Sequence, residues 1–320
     1  MSTYDFEEAK QKYRRLCIEE LSINIYMQDW YLDGAVERQE DWKVVLSEDN
    51  GVIQAAFPFR YLKKHGMYYI ENPWNCARMG MWIRKREYKS RLDELLTHKR
   101  LTEDILEKLP RYDVFRINFH SGFHNWMPFF WNGFSEQSYY SMVIFPTEEK
   151  LLSKINRMRR RQIQGGQYVI NENKLSIEGY CSFLIKSYES RGKQLAYDIK
   201  QLEKLLMALK SHDACFIYSA ENDRGEVLAA NVVIQDRDRR YLQFLSQIKG
   251  KEGNSQSALV FYAINRAVES GRCFDFEGSM LPGICEFYAS YNPEWETYHM
   301  VYGYSKRYRL LDALRTIGRG

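Results

Sequence analysis

The chain has 320 residues, 45% hydrophobic and 28% charged, with a net charge of +4 and an isoelectric point near 8.5. This is the balance of an ordinary soluble globular protein, long enough for one large domain or two of about 160 residues. The charge is too small to argue for nucleic acid, no run of about 18 apolar residues exists to span a membrane, and the N-terminal MSTYDFEEAKQKYRR lacks the apolar stretch of a signal peptide.

In chain order, residues 4–20 alternate charged and apolar positions as a helix does, and QDWYLDGAV (28–36) gives a second, shorter helix. Strands over 42–46 and 52–57 flank Asp49-Asn50-Gly51, a strong hairpin turn. Strand character continues up to Ile70 and ends by Pro73; 87–109 is a charged helix stopped by Pro110. Residues 112–119 alternate as a strand, followed by the aromatic NWMPFFWNGF and another strand over 138–145. His120 and His124, in HSGFHNW, lack the spacing and the further ligands of a metal site and are expected in a loop or cleft of the N-terminal half. The six cysteines are scattered without CxxC or a His at ligand spacing, which predicts reduced, mostly buried thiols of a cytoplasmic protein and no zinc.

Pro146-Thr147 opens a second half with a basic helix, whose stripe is Leu151, Ile155 and Met158 and which Gly165-Gly166 ends. Helices follow over 176–190 and 198–210, then a meander of three strands over 214–220, 227–235 and 240–247. Asn254 or Ser255 caps the next helix, and Gly271 supplies its left-handed end. A strand over 273–277 places Phe274 and Phe276 on one face and Cys273, Asp275 and Glu277 on the other. Two carboxylates two apart before a Gly-Ser loop form a candidate site. The plainer alternative is that one caps the next helix or pairs with a basic neighbour. KRYRLLDALRTIGRG is expected to be a last basic helix.

The two halves also resemble each other. Tyr140-Ser-Met-Val143 falls on Tyr298-His-Met-Val301; at the same offset Phe129-Phe130 falls on Phe287-Tyr288, and the strand of Phe115 on that of Cys273. Val52–Ala56 resembles Val227–Asn231 at another offset. The reading is a duplicated α/β domain with a mixed sheet, divided near Pro146 into 1–146 and 147–320.

Three antiparallel strands, a helix, a strand and a short helix with a Phe-Tyr pair resemble the GNAT acyltransferase core. Two such units in tandem are characteristic of the Fem-type (FemAB-like) peptidyltransferases and related tandem-GNAT acyltransferases. QDWYLDGAV is similar to that family's early Trp-Leu-Asp helix, INRMRRRQIQGG to its Arg-x-x-Ile-Arg-Lys-Ala helix, and RCFDFEGSMLPGICEFY to its Phe-Asp-Phe-Glu-Gly-Ser segment.

The resemblance implies an acyltransferase that uses acyl-CoA (acetyl-CoA among them) or aminoacyl-tRNA and acts on a small-molecule or peptide amine, without metal or DNA, in a cleft between the halves. The donor's phosphates would meet the loop and helix start at Gln247, Lys249, Gly250, Lys251, Gly253, Asn254 and Ser255. This loop departs from the Gln/Arg-x-x-Gly-x-Gly/Ala pattern and carries Glu252, which counts against acetyl-CoA and for aminoacyl-tRNA; the lack of a coiled-coil arm counts the other way. Tyr288 corresponds to the tyrosine that protonates the departing thiolate, and otherwise reads as core aromatic; its N-terminal counterpart, Phe130, has no hydroxyl, so that half would be non-catalytic. Asp275 or Glu277 would be the base, with burial needed to raise its pKa. Arg157 and Arg160 on the basic helix and Ser279 in the Gly-Ser loop are the candidate substrate contacts. A non-catalytic binding protein on the same duplicated fold is the competing reading, and a nucleic-acid-binding protein a weaker third.

Overall fold

The computed structural model describes residues 4–250 and 254–317. The chain forms two compact units: residues up to 139 together with those from 298 on, and residues 140–297.

In the first unit Asp5 caps α1 (Phe6–Glu19) by accepting from the Glu7 and Glu8 amides at 3.0 Å. A short α2 (Asp29–Ala35) leads to β1 (Trp42–Asp49) and β2 (Val52–Lys64), joined at Asn50-Gly51, both with positive φ. The expected run of strand to Ile70 is in fact a second hairpin. His65 and Gly66 are both left-handed, and the chain returns as β3 (Met67–Glu71). A two-residue β4 (Trp82–Ile83) pairs with β2. Then α3 (Arg91–Lys108) starts later than its charge pattern predicts, because Ser90 caps it through the Asp93 amide. It crosses to β5 (Val114–Asn118), which lies parallel to β3, and the aromatic stretch forms α4 (Met127–Trp131).

The second unit repeats this plan. After β6 (Ser135–Ile144) come α5 (Leu151–Lys154), α6 (Arg157–Gln164) and β7 (Val169–Glu172), a strand the sequence reading did not include. Helices α7 (Ile177–Glu189) and α8 (Ile199–Ser211) precede the meander β8 (Cys215–Glu221), β9 (Val227–Gln235) and β10 (Arg239–Gln247). Then α9 (Ser255–Glu269) crosses to β11 (Cys273–Asp275), parallel to β10, followed by α10 (Pro282–Ala289), β12 (Glu294–Tyr304) and α11 (Lys306–Ile317).

Both units thus have an antiparallel meander, a helical crossover and a parallel strand. The parallel strand then pairs with a segment far away in the sequence, from beyond the Pro146 boundary. β5 takes β12, with Val301 opposite Ile117, and β11 takes the end of β6, with Val143 opposite Asp275. Each unit has its own core: stacked phenylalanines around Phe57, Phe115 and Phe129 in the first, and Phe274, Phe276, Tyr288 and Tyr291 over the α9 face in the second.

The expected single basic helix after Pro146 is broken. Ile155 is buried, and the Asn156 side chain caps α6 by accepting from the Met158 amide at 2.9 Å, while its own N–H bonds to Ser290 O. A cap demands an extended residue, so α5 and α6 cannot be continuous. Met158, placed by the sequence in the apolar stripe, is 62% exposed. Asn254 precedes α9 in helical conformation, and its side chain makes no capping hydrogen bond. All six cysteines are free thiols, four of them buried.

Candidate functional site

The Phe-Asp-Phe-Glu-Gly-Ser segment is where the second unit changes direction. The strand ends at Asp275, two residues before the sequence reading ended it, so the alternation does not reach Glu277. Glu277 and Gly278 are both left-handed, with φ of +65° and +70°. Gly278 is required twice over: its φ disfavours a side chain, and a Cβ there would sit 2.2 Å from the Tyr140 carbonyl oxygen.

The bend separates the two carboxylates. Asp275 is wholly buried. Its Oδ1 accepts from Ser141 Oγ at 2.5 Å and from the Glu277 amide at 2.9 Å, and its Oδ2 accepts from Arg239 at 3.1 Å. Arg239 also forks onto Glu296 with two contacts of 2.7 Å. Burial works to lower the Arg239 pKa, but the Glu296 hydrogen bond and the charges of Asp275 and Glu296 outweigh it, and the net shift is upward. A carboxylate with this many donors is stable as the anion and poorly placed to take a proton. The basic neighbour that the sequence reading kept as an alternative is therefore Arg239, and Asp275 fixes the bend through the Glu277 amide. Glu277 is only partly buried.

Tyr288 lies on α10, 6% exposed, with its ring 4.8 Å from that of Phe276. Burial first, and the Glu277 charge second, push its pKa well above the usual value. The Tyr288 hydroxyl has no hydrogen-bond partner among the described residues. Ser279 Oγ accepts from the Leu281 amide at 3.1 Å, so this hydroxyl serves the turn into α10. Burial raises the Cys273 thiol, as expected of a packing residue rather than a nucleophile.

On α6, Arg157 is exposed, and Arg160 donates to the carbonyls of Ser153 and Ile155, both at 3.1 Å, closing the end of α5. The residue the sequence reading passed over is Arg159, 7% exposed and with no carboxylate partner among the described residues. Its Nε donates to Ser290 Oγ at 2.7 Å, and its Nη1 donates to Gln162 Oε1 at 2.6 Å and Ser257 Oγ at 2.5 Å. Its guanidinium lies 4.2 Å from the Phe287 ring centroid. Desolvation lowers its pKa. The signal was present: Arg159 stands four residues before Ile163 on α6, on the face that packs inward.

At the candidate donor loop, β10 pairs with β11 only from Arg239 to Tyr241 and then runs on to Gln247 paired with β9 alone. The Gln247 amide donates to Ser187 Oγ, and its carbonyl accepts from Ser187 and Arg191. Its side chain reaches Ser255 Oγ at 3.3 Å. The Lys249 amide donates to Ser190 Oγ at 3.0 Å, so this N–H is not open to a phosphate; Gly250 has φ +81°. Lys251 and Gly253 lie outside the described residues. Beneath the first turn of α9, Gln256 Nε2 donates to Asn231 Oδ1 at 2.7 Å, which leaves Gln256 Oε1 and Asn231 Nδ2 buried without partners. Such a pair is expensive unless something completes it.

Among the described residues no group of His, Cys, Asp and Glu is arranged to hold a metal ion, and no helix is long and apolar enough to cross a membrane.

No protein-family model matches the sequence, and no curated protein matches it. Solved structures do. FemX has 11% identity and a TM-score of 0.65, over 91% of this chain and 95% of that one. L-PGS from Bacillus licheniformis has 14% identity and a TM-score of 0.55, over 97% of both chains. The C-terminal domain of a putative lysylphosphatidylglycerol synthetase from Agrobacterium fabrum has 10% identity and a TM-score of 0.54, over 97% and 96%. The likeness is one of fold, extends over nearly the full length of each, and agrees with the Fem-type tandem GNAT layout read from the motifs.

Proposed function

We propose that this chain is an acyltransferase that moves an acyl or aminoacyl group from a CoA thioester or an aminoacyl-tRNA onto an amine, with the second unit carrying the chemistry. The observation that carries the reading is Tyr288: a side chain 6% exposed, with no hydrogen-bond partner for its hydroxyl among the described residues, its phenol kept neutral by burial and by the charge of Glu277. Tyr288, protonated at neutral pH, is the candidate to give a proton to a departing thiolate or ribose oxygen, and the half-buried Glu277 the candidate to accept one from the attacking ammonium. The amine nitrogen forms its bond to the carbonyl carbon, the bond to sulfur or oxygen breaks, the leaving group departs with the Tyr288 proton, and the phenolate recovers a proton from the acylated nitrogen, leaving a neutral amide. Asp275 and Arg239 position the bend and take no part in proton transfer.

The donor would approach where β10 parts from β11, in front of an α9 that no Asn254 side chain caps. The unpartnered Asn231 and Gln256 amide atoms support a donor that itself carries amides. Of the residues proposed to bind donor, Ser255 is wholly buried with its Oγ accepting from the Gln247 side chain, and the Lys249 amide is committed to Ser190. Arg157 remains free to attract a phosphate. In the first unit Phe130, at the position equivalent to Tyr288, is 59% exposed and has no proton to give, which supports a non-catalytic role there.

One observation favours the second reading, a binding protein without turnover: the loop amides at 247 and 249 are already satisfied by Ser187 of α7 and by Ser190 just after it. Thermal titration with acetyl-CoA, a long-chain acyl-CoA and a charged tRNA identifies the donor. Saturation at a hundredfold excess over Kd adds about 2.7 kcal/mol to the folded state. With the donor known, Tyr288→Phe should cut turnover about a hundredfold with donor affinity kept. A donor that binds without any transfer to a panel of amines would establish the binding protein instead.

A further inference from the structure

The first unit contains a cavity of about 330 Å³ lined by the segment before α2, residues 81–88, α3 and the loop 120–125. Its apolar wall is Met27, Met81 and Phe123, all buried. Its rim is cationic, with Arg84, Lys85 and Arg86 in succession. Glu94 is the one carboxylate on the lining among the described residues, and Arg91 already holds it at 2.7 Å. The two guanidiniums are propped on aromatic rings: Arg84 lies 5.3 Å from the Trp82 ring with its Nε on the Ile53 carbonyl, and Arg86 lies 5.1 Å from Tyr88. Their nearest carboxylates stand off, Glu20 at 3.7 Å from Arg84 and Asp93 at 3.9 Å from Arg86, beyond charge-assisted hydrogen-bond length.

Two neutral groups complete the rim. Tyr88 Oη and His98 Nε2 are 3.1 Å apart. Desolvation pushes the His98 pKa down, so this imidazole offers hydrogen bonding rather than charge at neutral pH. His120 and His124, the pair the sequence singled out and the proposed chemistry leaves unused, line the same cavity.

Excess positive charge around an apolar wall is the complement of an anion with an apolar body. We propose that this cavity binds a small molecule bearing a carboxylate or phosphate on an apolar or aromatic body, the oxyanion on Lys85 and Arg86 and the body on Met27, Met81 and Phe123. The site lies wholly in the first unit and stands whether or not the second unit transfers acyl groups.

The test uses the full chain with phenyl phosphate and benzoate as probes and benzyl alcohol as their neutral counterpart. Calorimetry and the histidine Cε1–H resonances are the readouts. At least one anion should bind and shift the His98 signal, and the Lys85→Ala/Arg86→Ala double variant, whose side chains are exposed, should weaken it about tenfold. Which probe binds distinguishes carboxylate from phosphate. The proposal is overturned if neither anion binds, if benzyl alcohol binds as tightly, or if the double variant binds unchanged.

Discussion

At Asp275 a serine hydroxyl, a backbone amide and a guanidinium converge on one carboxylate with no exposure to water. Removing the charge leaves Arg239 half-paired, so Asp275→Asn should destabilise the fold by about 3 kcal/mol, read as a lower urea midpoint. If Asp275 were instead the catalytic base, the same change would abolish turnover at unchanged stability. Glu277→Gln should do the reverse: activity falls while the urea midpoint stays within about 0.5 kcal/mol, as expected for a partly exposed side chain. Spacing placed both carboxylates in one site because it assumed that the strand ran through 277. The left-handed turn at Glu277 and Gly278 gave them separate roles.

At the scale of the element, α10 is held by what touches its ends. Arg159 ties α6 to α9 through Ser257 and to α10 through Ser290 and Phe287. Arg159→Met should cost about 2 kcal/mol, since hydrogen bonds from a charged donor are lost. It should also speed amide hydrogen exchange across 282–291 more than across α8; uniform exchange in the two helices would show that Arg159 does not brace α10. Gly278→Ala meets both the Tyr140 carbonyl and a positive φ, and should cost at least about 2 kcal/mol, measured by thermal unfolding. The hairpin at Asn50-Gly51 was legible because its turn chemistry is local. The break between α5 and α6 was not, because the Asn156 cap is reinforced by Ser290, far along the chain.

For the whole molecule, the many tyrosines set a limit on alkaline stability. Burial raises the pKa of Tyr13, Tyr180, Tyr218 and Tyr291 as well as Tyr288. A raised folded-state pKa gives stability that is fully present below the unfolded value, near 10, and is lost as pH climbs toward the folded one. Unfolding free energy should therefore hold level through neutral pH and fall above about pH 10, with phenolate absorbance appearing together with loss of structure. Absorbance that rises well before unfolding would mean that these phenols are not sealed.

Sequence alone determined most of the element order, the second meander with its helical crossover, the repeated plan and the Fem-type likeness, while the hairpin into β3, the strand β7 and the break between α5 and α6 escaped it. The features it determined rest on periodicity, turn residues and short motifs, which act over a few neighbouring positions. Tertiary structure decided which strand completes each unit, since β5 waits for β12 and β11 for the end of β6. It also decided that Arg159 points inward and that Arg239, 36 residues away, captures Asp275. These outcomes depend on pairing and desolvation between distant segments, and such energies leave no local mark on the chain.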